Sequence, residues 1–474
     1  MTRLMVRADG NAQIGYGHIM RCLSIVKGGH FKEVHWFSKE EIAASIQEES
    51  PSIEFHIIGE ESDFHKHIKK KDTVLMDGYS FSWRDHQKII SFGAHLILID
   101  DLADKPIMAD IVINPAPGFD ATCYKTGNAA IILTGLNYAL LRPPLLALAK
   151  KNIRKKPNSV LICMGGSDPK NVTEKTLEAA SKESFTTIHV VLGSGYRYQS
   201  TLEHFKDERI TFHSELSAQE MADLMADCEW GIYPSSGMLV EGLAAQQGIL
   251  AGITAENQRM VYEGHKQLDS IIDCGQFSAD ELKKAFKQMA TWPKKKQLID
   301  GCSVSRIHQM INRLWVTDDF TARTATDRDL EQTFKWAQDP SIRKFSFQQN
   351  AITLQEHTEW FLRKLNDTSC YYYLIEDKKR PIGSVRFDIQ DGDALISYLL
   401  DSSEHGKGFG LFLLKKGMDQ LSKDHPEIKI NQFVGDVMPE NSGSVRIFEY
   451  LGFQKETRGD FLRFTKKNNH EIYH

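Results

Sequence analysis

No excess of basic charge runs through this chain of 474 residues: 58 Lys and Arg stand against 63 Asp and Glu, a formal net charge of -5. Without a positive field, nucleic acid or anionic lipid has nothing general to bind, so a polyanion would need a local seat. The expected partners are small molecules, with no nucleic acid and no membrane. No C-x-x-C pair occurs, and the seven cysteines are an odd, scattered set. That excludes a fully paired disulfide framework and gives no zinc-site spacing, so reduced thiols and a cytoplasmic location are expected. No apolar run approaches the roughly 20 residues that span a bilayer, and the start, with Arg3, Arg7 and Asp9, lacks the apolar stretch of a signal peptide. Internal repeats and low-complexity tracts are also missing. What is present, 41% hydrophobic and 26% charged residues, describes a globular protein long enough for about three domains.

Short β-branched runs alternate with turns and helical patterns in the first part: "RLMVRA", "EVHWFSK", "TVLMDGY", "HLILIDD", "IVINPA" and "IILTG". This alternation predicts a parallel sheet with crossover helices over residues 1–150. After "LLRPPL" and the basic "KKNIRKKPNS", a second series, "VLICMGG", "TIHVVLG", "ITFHS", "WGIYPSS" and "GILAGIT", repeats the pattern over 157–315. Helices are expected near 171–182, 217–227 and 238–246, then a helical run near 279–315. Two doubly wound lobes of this kind place a cleft at the carboxyl ends of their strands. From 319 the texture changes. "CYYYLIE", "RPIGSVRFDIQ" and "ALISYLL" follow one another through short turns, which predicts an antiparallel α+β domain over 319–474.

The segment "IGYGHIM" carries chemistry. Gly15 and Gly17 leave backbone amides open to a ligand, and the helix expected from about Ile19 turns free N–H groups toward anions. His18 sits at that helix end, where the macrodipole disfavours an imidazolium, and a neutral ring can accept a proton. A histidine that merely caps the turn is the alternative. The start of the helix after "PSSG" supplies a second anion seat, with Ser235, Ser236 and Gly237. Asp77 and Tyr79 in "MDGY" lie at a strand's carboxyl end, placed to contact a sugar or orient water; a strand-end turn with a packed tyrosine is the alternative. Asp100 and Asp101 are read as structural. "DGD" at 391–393 has D-x-D metal spacing but falls between two strands with a glycine suited to a hairpin turn. His65 and His67 stand among lysines, so no metal is expected.

The run "RADGNAQIGYGHIMRCLSIV", with "LMDGYSF", "LILIDDLAD", "ADIVINPAPG", "GLNYALLRPPL", "MGGSDPKNVT" and "ENQ" in order, resembles the hydrolases that cleave UDP-2,4-diacetamido-2,4,6-trideoxy-β-L-altropyranose in bacterial pseudaminic acid synthesis. The resemblance covers about residues 1–290. It implies a glycosyltransferase-B-like pair of lobes, His18 as the base, water attack at the anomeric carbon with inversion, and release of UDP. It also implies that Glu241 binds the ribose hydroxyls and that Asn257 and Gln258 bind the acetamido groups. The loop Ser235-Ser236-Gly237-Met238 departs from the G-G-S-T of relatives, losing one hydroxyl and displacing the glycines.

A second motif, "EHGKGFGLFLLKKGMDQL", sets Gly406, Gly408 and Gly410 ahead of an amphipathic helix, where amides hold a pyrophosphate with Lys407 close by. With "ALISYLL" before it, "PENSGSVRIFEYLGF" after it and "EHTEWF" ahead, it resembles the GCN5-related N-acetyltransferase family over about 319–468, nearest the subgroup acting on UDP-4-amino sugars. That implies acetyl-CoA as co-substrate, bound between a splayed strand and this loop, with His405 in the loop's first place and Asn441 among its contacts. Relatives carry a tyrosine where this chain has Phe448, and Tyr450 lies two positions on. Trp336 and Trp360 are expected in the core.

Taken together, the two resemblances imply one chain that acetylates the 4-amino group of a UDP-linked amino sugar and then hydrolyses the product to free sugar and UDP. A metal-independent UDP-sugar glycosyltransferase, or non-catalytic UDP-sugar-binding lobes feeding an acetyltransferase, are the alternatives.

Overall fold

A computed structural model describes residues 3–10, 16–127, 129–293 and 297–468. The first apolar series forms strands β1 (Arg3–Ala8), β2 (Glu33–Ser38), β3 (Ile53–Ile57), β4 (Thr73–Asp77), β5 (His95–Ile99), β6 (Ile111–Asn114) and β7 (Ile131–Thr134). Their order is β3-β2-β1-β4-β5-β6-β7, every neighbour parallel. Strands covered on both faces read as near-continuous apolar runs rather than alternating, and all five residues of β4, including Thr73 and Asp77 at its ends, are buried. Arg7 is the buried charge in β1: it is fully buried, and its guanidinium is tied to Glu61 and Asp9.

The second series gives β8 (Lys156–Ile162), β9 (Thr187–Leu192), β10 (Ile210–Ser214), β11 (Cys228–Pro234), β12 (Gly248–Gly252) and the two-residue β13 (Ile272–Asp273). These pair in parallel in the order β10-β9-β8-β11-β12-β13. The edge strands β3 and β13 have no counterpart in the sequence reading: β3, "IEFHI", mixes polar with apolar residues, and β13 is too short to show a period.

The third sheet holds β14 (Phe320–Thr324), β15 (Cys370–Asp377), β16 (Arg380–Gln390), β17 (Asp393–Leu400), β18 (Gln432–Val437), β19 (Gln454–Arg458) and β20 (Phe461–Lys467). Its order is β14-β15-β16-β17-β18-β20-β19, antiparallel except for one pair. β17 and β18 run parallel and share register only from Asp393 to Leu395, after which they part. The D-x-D segment is a hairpin turn: Asp391 and Gly392 both have positive φ, 51° and 84°, between the paired Gln390 and Asp393.

The helical run near 279–315 is two helices, Ala279–Met289 and Ser303–Thr317. Here the range 157–315 needs correcting, because the second helix returns to the first lobe. Its Ser303 hydroxyl donates to the Ala139 carbonyl at 2.6 Å and its Trp315 indole to Thr73 at 2.8 Å, and His308 Nε2 lies 2.7 Å from the Ile25 carbonyl. Its buried Ile307, Ile311 and Leu314 share one core with Leu4 and Ile99 of the first lobe and Phe320 and Leu411 of the third domain. The helix is therefore the floor on which the carboxy-terminal domain docks. All seven cysteines are unpaired thiols. Among the described residues, no helix is long and apolar enough to cross a membrane.

Candidate active sites

In the first sheet the strand order reverses between β1 and β4; in the second it reverses between β8 and β11. Crevices at the carboxyl ends of strands open at such points. The helix Gly17–Lys27 leaves β1, and the helix Gly237–Ala244 leaves β11. Both starts, with His18, Tyr79, Glu241, Asn257 and Gln258, line one cavity of about 430 Å³ between the lobes. An added Cβ on Gly17 or Gly237 would meet no described atom within 4 Å. The Ser235 hydroxyl is buried there without a partner among the described residues. Open glycines, helix amides and an unpaired hydroxyl together suit an anionic oxygen. Gly15 lies outside the described residues.

His18 is held by its neighbours. Its Nδ1 lies 2.8 Å from Asp77 Oδ1, and Asp77 is 1% exposed. Arg21 donates to both Asp77 oxygens at 2.8 and 2.9 Å and to Asp101 at 2.6 Å. Its Nη2 also stands 2.9 Å from Nδ1. A bare Nδ1 lone pair would face the carboxylate at 2.8 Å, whereas an N–H there donates to it; Arg21 has both Asp77 oxygens to satisfy it. The proton belongs on Nδ1 and the lone pair on Nε2, to which no described residue is hydrogen-bonded. Burial works against the Arg21 charge, but Asp77 and Asp101 outweigh it and raise Arg21 above its ordinary value. The Tyr79 ring meets His18 edge-on at 4.8 Å. Its hydroxyl, drawn partly out of water and set 3.3 Å from Asp101, is pushed up to about 12.

Across the cavity, Arg142 grips Glu241 with two hydrogen bonds, at 2.9 and 2.7 Å. Burial raises the Glu241 carboxyl and Arg142 only partly restores it. The Gln258 side-chain oxygen caps its own turn at the Thr254 amide, 2.9 Å away.

A second cavity, of about 650 Å³, fills the wedge where β17 leaves β18. It is lined by His405, Gly406 and Gly408 of the turn before the helix Phe409–Asp424, by Gly410 in that helix's first turn, and by Asn441 and Arg446. Gly406 and Gly408 have φ of 79° and 78°, a region that only glycine enters at little cost. Asn441 caps its helix, its side-chain oxygen accepting from the Ser444 amide at 3.1 Å. The His405 ring Nε2 lies 3.0 Å from the Leu400 carbonyl. Phe448 is buried, stacked on Phe464 at 5.1 Å, and points into the core; Tyr398 and Tyr450 line the cavity instead.

Residues 319–454 match the model of the acetyltransferase (GNAT) domain. The carboxy-terminal unit is a GNAT acetyltransferase domain, and acetyl-CoA is its co-substrate. Over 96% of this chain and 98% of its own length, an uncharacterized protein of Methanocaldococcus jannaschii is 26% identical. The UDP-2,4-diacetamido-2,4,6-trideoxy-β-L-altropyranose hydrolase of Campylobacter jejuni is 27% identical over 54% of this chain and 93% of its own. The spore coat polysaccharide biosynthesis protein SpsG of Bacillus subtilis is 23% identical over 65% and 97%.

Two expectations for these sites need correction. Asp77 does not face the cavity; it lies behind His18 as its partner. Lys407 is absent from the acetyltransferase cavity, because its ammonium pairs with buried Glu404 at 2.8 Å. Asp101, read as structural, lies in the inter-lobe cavity with Arg21 and Arg142, while Asp100 caps the Ala103 amide. No local signal marks these three: each gains its place from a partner far away in sequence. Trp336 is core, and Trp360 carries the Arg386 guanidinium on its face at 5.0 Å.

Proposed function

We propose that the chain is a bifunctional enzyme of UDP-linked amino sugars: it transfers acetyl from acetyl-CoA to the 4-amino group, then hydrolyses the UDP bond of the product to free sugar and UDP. The observation that carries the hydrolytic half is the His18 to Asp77 contact, with Nε2 turned to a cavity where two helix starts meet. In this reading water attacks the anomeric carbon while Nε2 takes its proton, and Asp77 stabilises the imidazolium that forms. The anomeric C–O bond breaks and its electron pair leaves on the diphosphate, met by amides at Gly17 and Gly237 and by the Ser235 hydroxyl. Glu241 accepts from the ribose on the lone pairs that Arg142 leaves, and Asn257 and Gln258 offer amides to the acetamido groups. Likeness to a hydrolase of a UDP-diacetamido sugar over 54% of the chain supports this reading. In the other half, the sugar amine attacks the thioester carbonyl, coenzyme A leaves as thiolate, and the amine's proton is lost; Gly406, Gly408, Gly410, His405 and Asn441 frame the cofactor.

The full chain, given a UDP-4-amino-4,6-dideoxy-N-acetylhexosamine and acetyl-CoA, is expected to yield coenzyme A, UDP and a free diacetamido sugar by mass spectrometry. UDP release that strictly requires an added acceptor would make the lobes a glycosyltransferase. UDP release unchanged in His18→Ala would overturn the assignment of the base.

A further inference from the structure

The acetyltransferase cavity has a wall that its own domain does not supply. Met310 and Arg313 line it, and both lie on the helix Ser303–Thr317, ahead of residues 319–454 that match the acetyltransferase domain. That helix is fastened to the first lobe through Ser303, His308 and Trp315. Arg313 is half-buried, and among the described residues its guanidinium makes no hydrogen bond or ion pair. It lies directly over the glycine turn: a Cβ on Gly408 would stand 2.6 Å from its Cζ and Nε and 3.0 Å from Nη1. Meanwhile the turn's own cation, Lys407, is spent on Glu404. An unpaired guanidinium set against open backbone amides is a fork for phosphate oxygens.

We propose that Arg313 is a phosphate-binding residue for acetyl-CoA, contributed by the nucleotide-sugar lobe, so that the cofactor site is complete only with the two parts docked. It rests on acetyl-CoA being the co-substrate and adds a residue from outside the acetyltransferase domain. The guanidinium donates to the cofactor's phosphates where Lys407 does not, in a cavity that Arg446 also lines.

The test uses the full chain and calorimetry with two probes: acetyl-CoA, and acetyl-pantetheine, which carries the thioester without phosphates. Arg313→Ala is expected to weaken acetyl-CoA about tenfold or more, to flatten the salt dependence of its binding, and to leave acetyl-pantetheine binding unchanged. Arg313→Lys should recover part of the loss, since it keeps the charge without the fork. Equal loss for both probes would mean that Arg313 only packs against the turn and would overturn the proposal. So would equal acetyl-CoA affinity in wild type and Arg313→Ala. No acetyl-CoA binding by the wild-type chain would remove the co-substrate itself, an outcome distinct from a wild type that binds and a variant that binds alike.

Discussion

At residue scale, the inter-lobe site turns on which imidazole nitrogen holds the proton. Asp77 fixes this from behind, and its own charge is met by Arg21. Asp77→Asn keeps the size but brings an NH₂ donor toward Nδ1, which favours the tautomer with Nε2–H and removes the base. The expected result is a fall of about 10²–10⁴ in the rate of UDP release, similar to His18→Ala, with acetyl transfer unaffected; separate assays of UDP and coenzyme A release check it. Arg142→Ala leaves Glu241 buried without its cation. The expected cost is about 2 kcal/mol of stability in denaturant titration, with Arg142→Ala/Glu241→Gln recovering much of it.

Elements hold these residues in register. The cavity lies where it does because helices follow β1 and β11 at the points of strand reversal, and among the described residues neither helix start is closed by a side-chain cap. The helix Val172–Ser181 of the second lobe differs: Asp168, at a φ of 40°, accepts from the Val172 and Thr173 amides at 2.9 and 2.8 Å. Asp168→Ala would leave both donors of a buried helix start unmet, an expected loss of about 1–2 kcal/mol visible as a lower Tm. The strand pattern and the glycine turns were legible in the sequence, because pleat, helix period and positive φ are local properties. The fate of the helix Ser303–Thr317 was not. Its apolar period announces a buried face but not which lobe covers it.

For the whole molecule, the helix Ser303–Thr317 joins the acetyltransferase domain to the first lobe through one shared core. Thr73, at the start of β4, bonds the floor helix through Trp315, while Asp77, at the end of the same strand, holds His18. On the other side, Tyr450, which lines the acetyltransferase cavity, has its hydroxyl 3.0 Å from that of Tyr138, two residues before Leu140 of the inter-lobe cavity. The docking face also titrates. Burial opposes the Asp110 carboxylate, but His95 and Lys415 outweigh it and hold it at about 2. Its contribution is therefore present above the ordinary carboxylate value and lost as pH falls toward 2. Burial likewise opposes protonated His95, but Asp110 and Asp318 raise it, with Lys415 acting against them. Its contribution is present below about 6.5 and lost as pH rises through the folded-state value. Stability should decline on both sides of mildly acidic pH, and His95→Gln should flatten the alkaline side in denaturant titrations.

Sequence by itself determined the two parallel sheets, the α+β character of the third domain, the hairpin at Asp391–Gly392 and the glycine turn beside the acetyltransferase cavity. These follow from the period of burial and from backbone conformations that few residues allow. Tertiary structure alone decided that Asp77 serves His18, that Asp101 joins the cavity, that Arg142 meets Glu241 across 99 residues, and that Arg313 turns in. A linear pattern records how each side chain relates to water and to its own helix or strand. Which charges meet is settled only when distant segments close on one another, and opposite charges then pair with whatever the packing brings within reach.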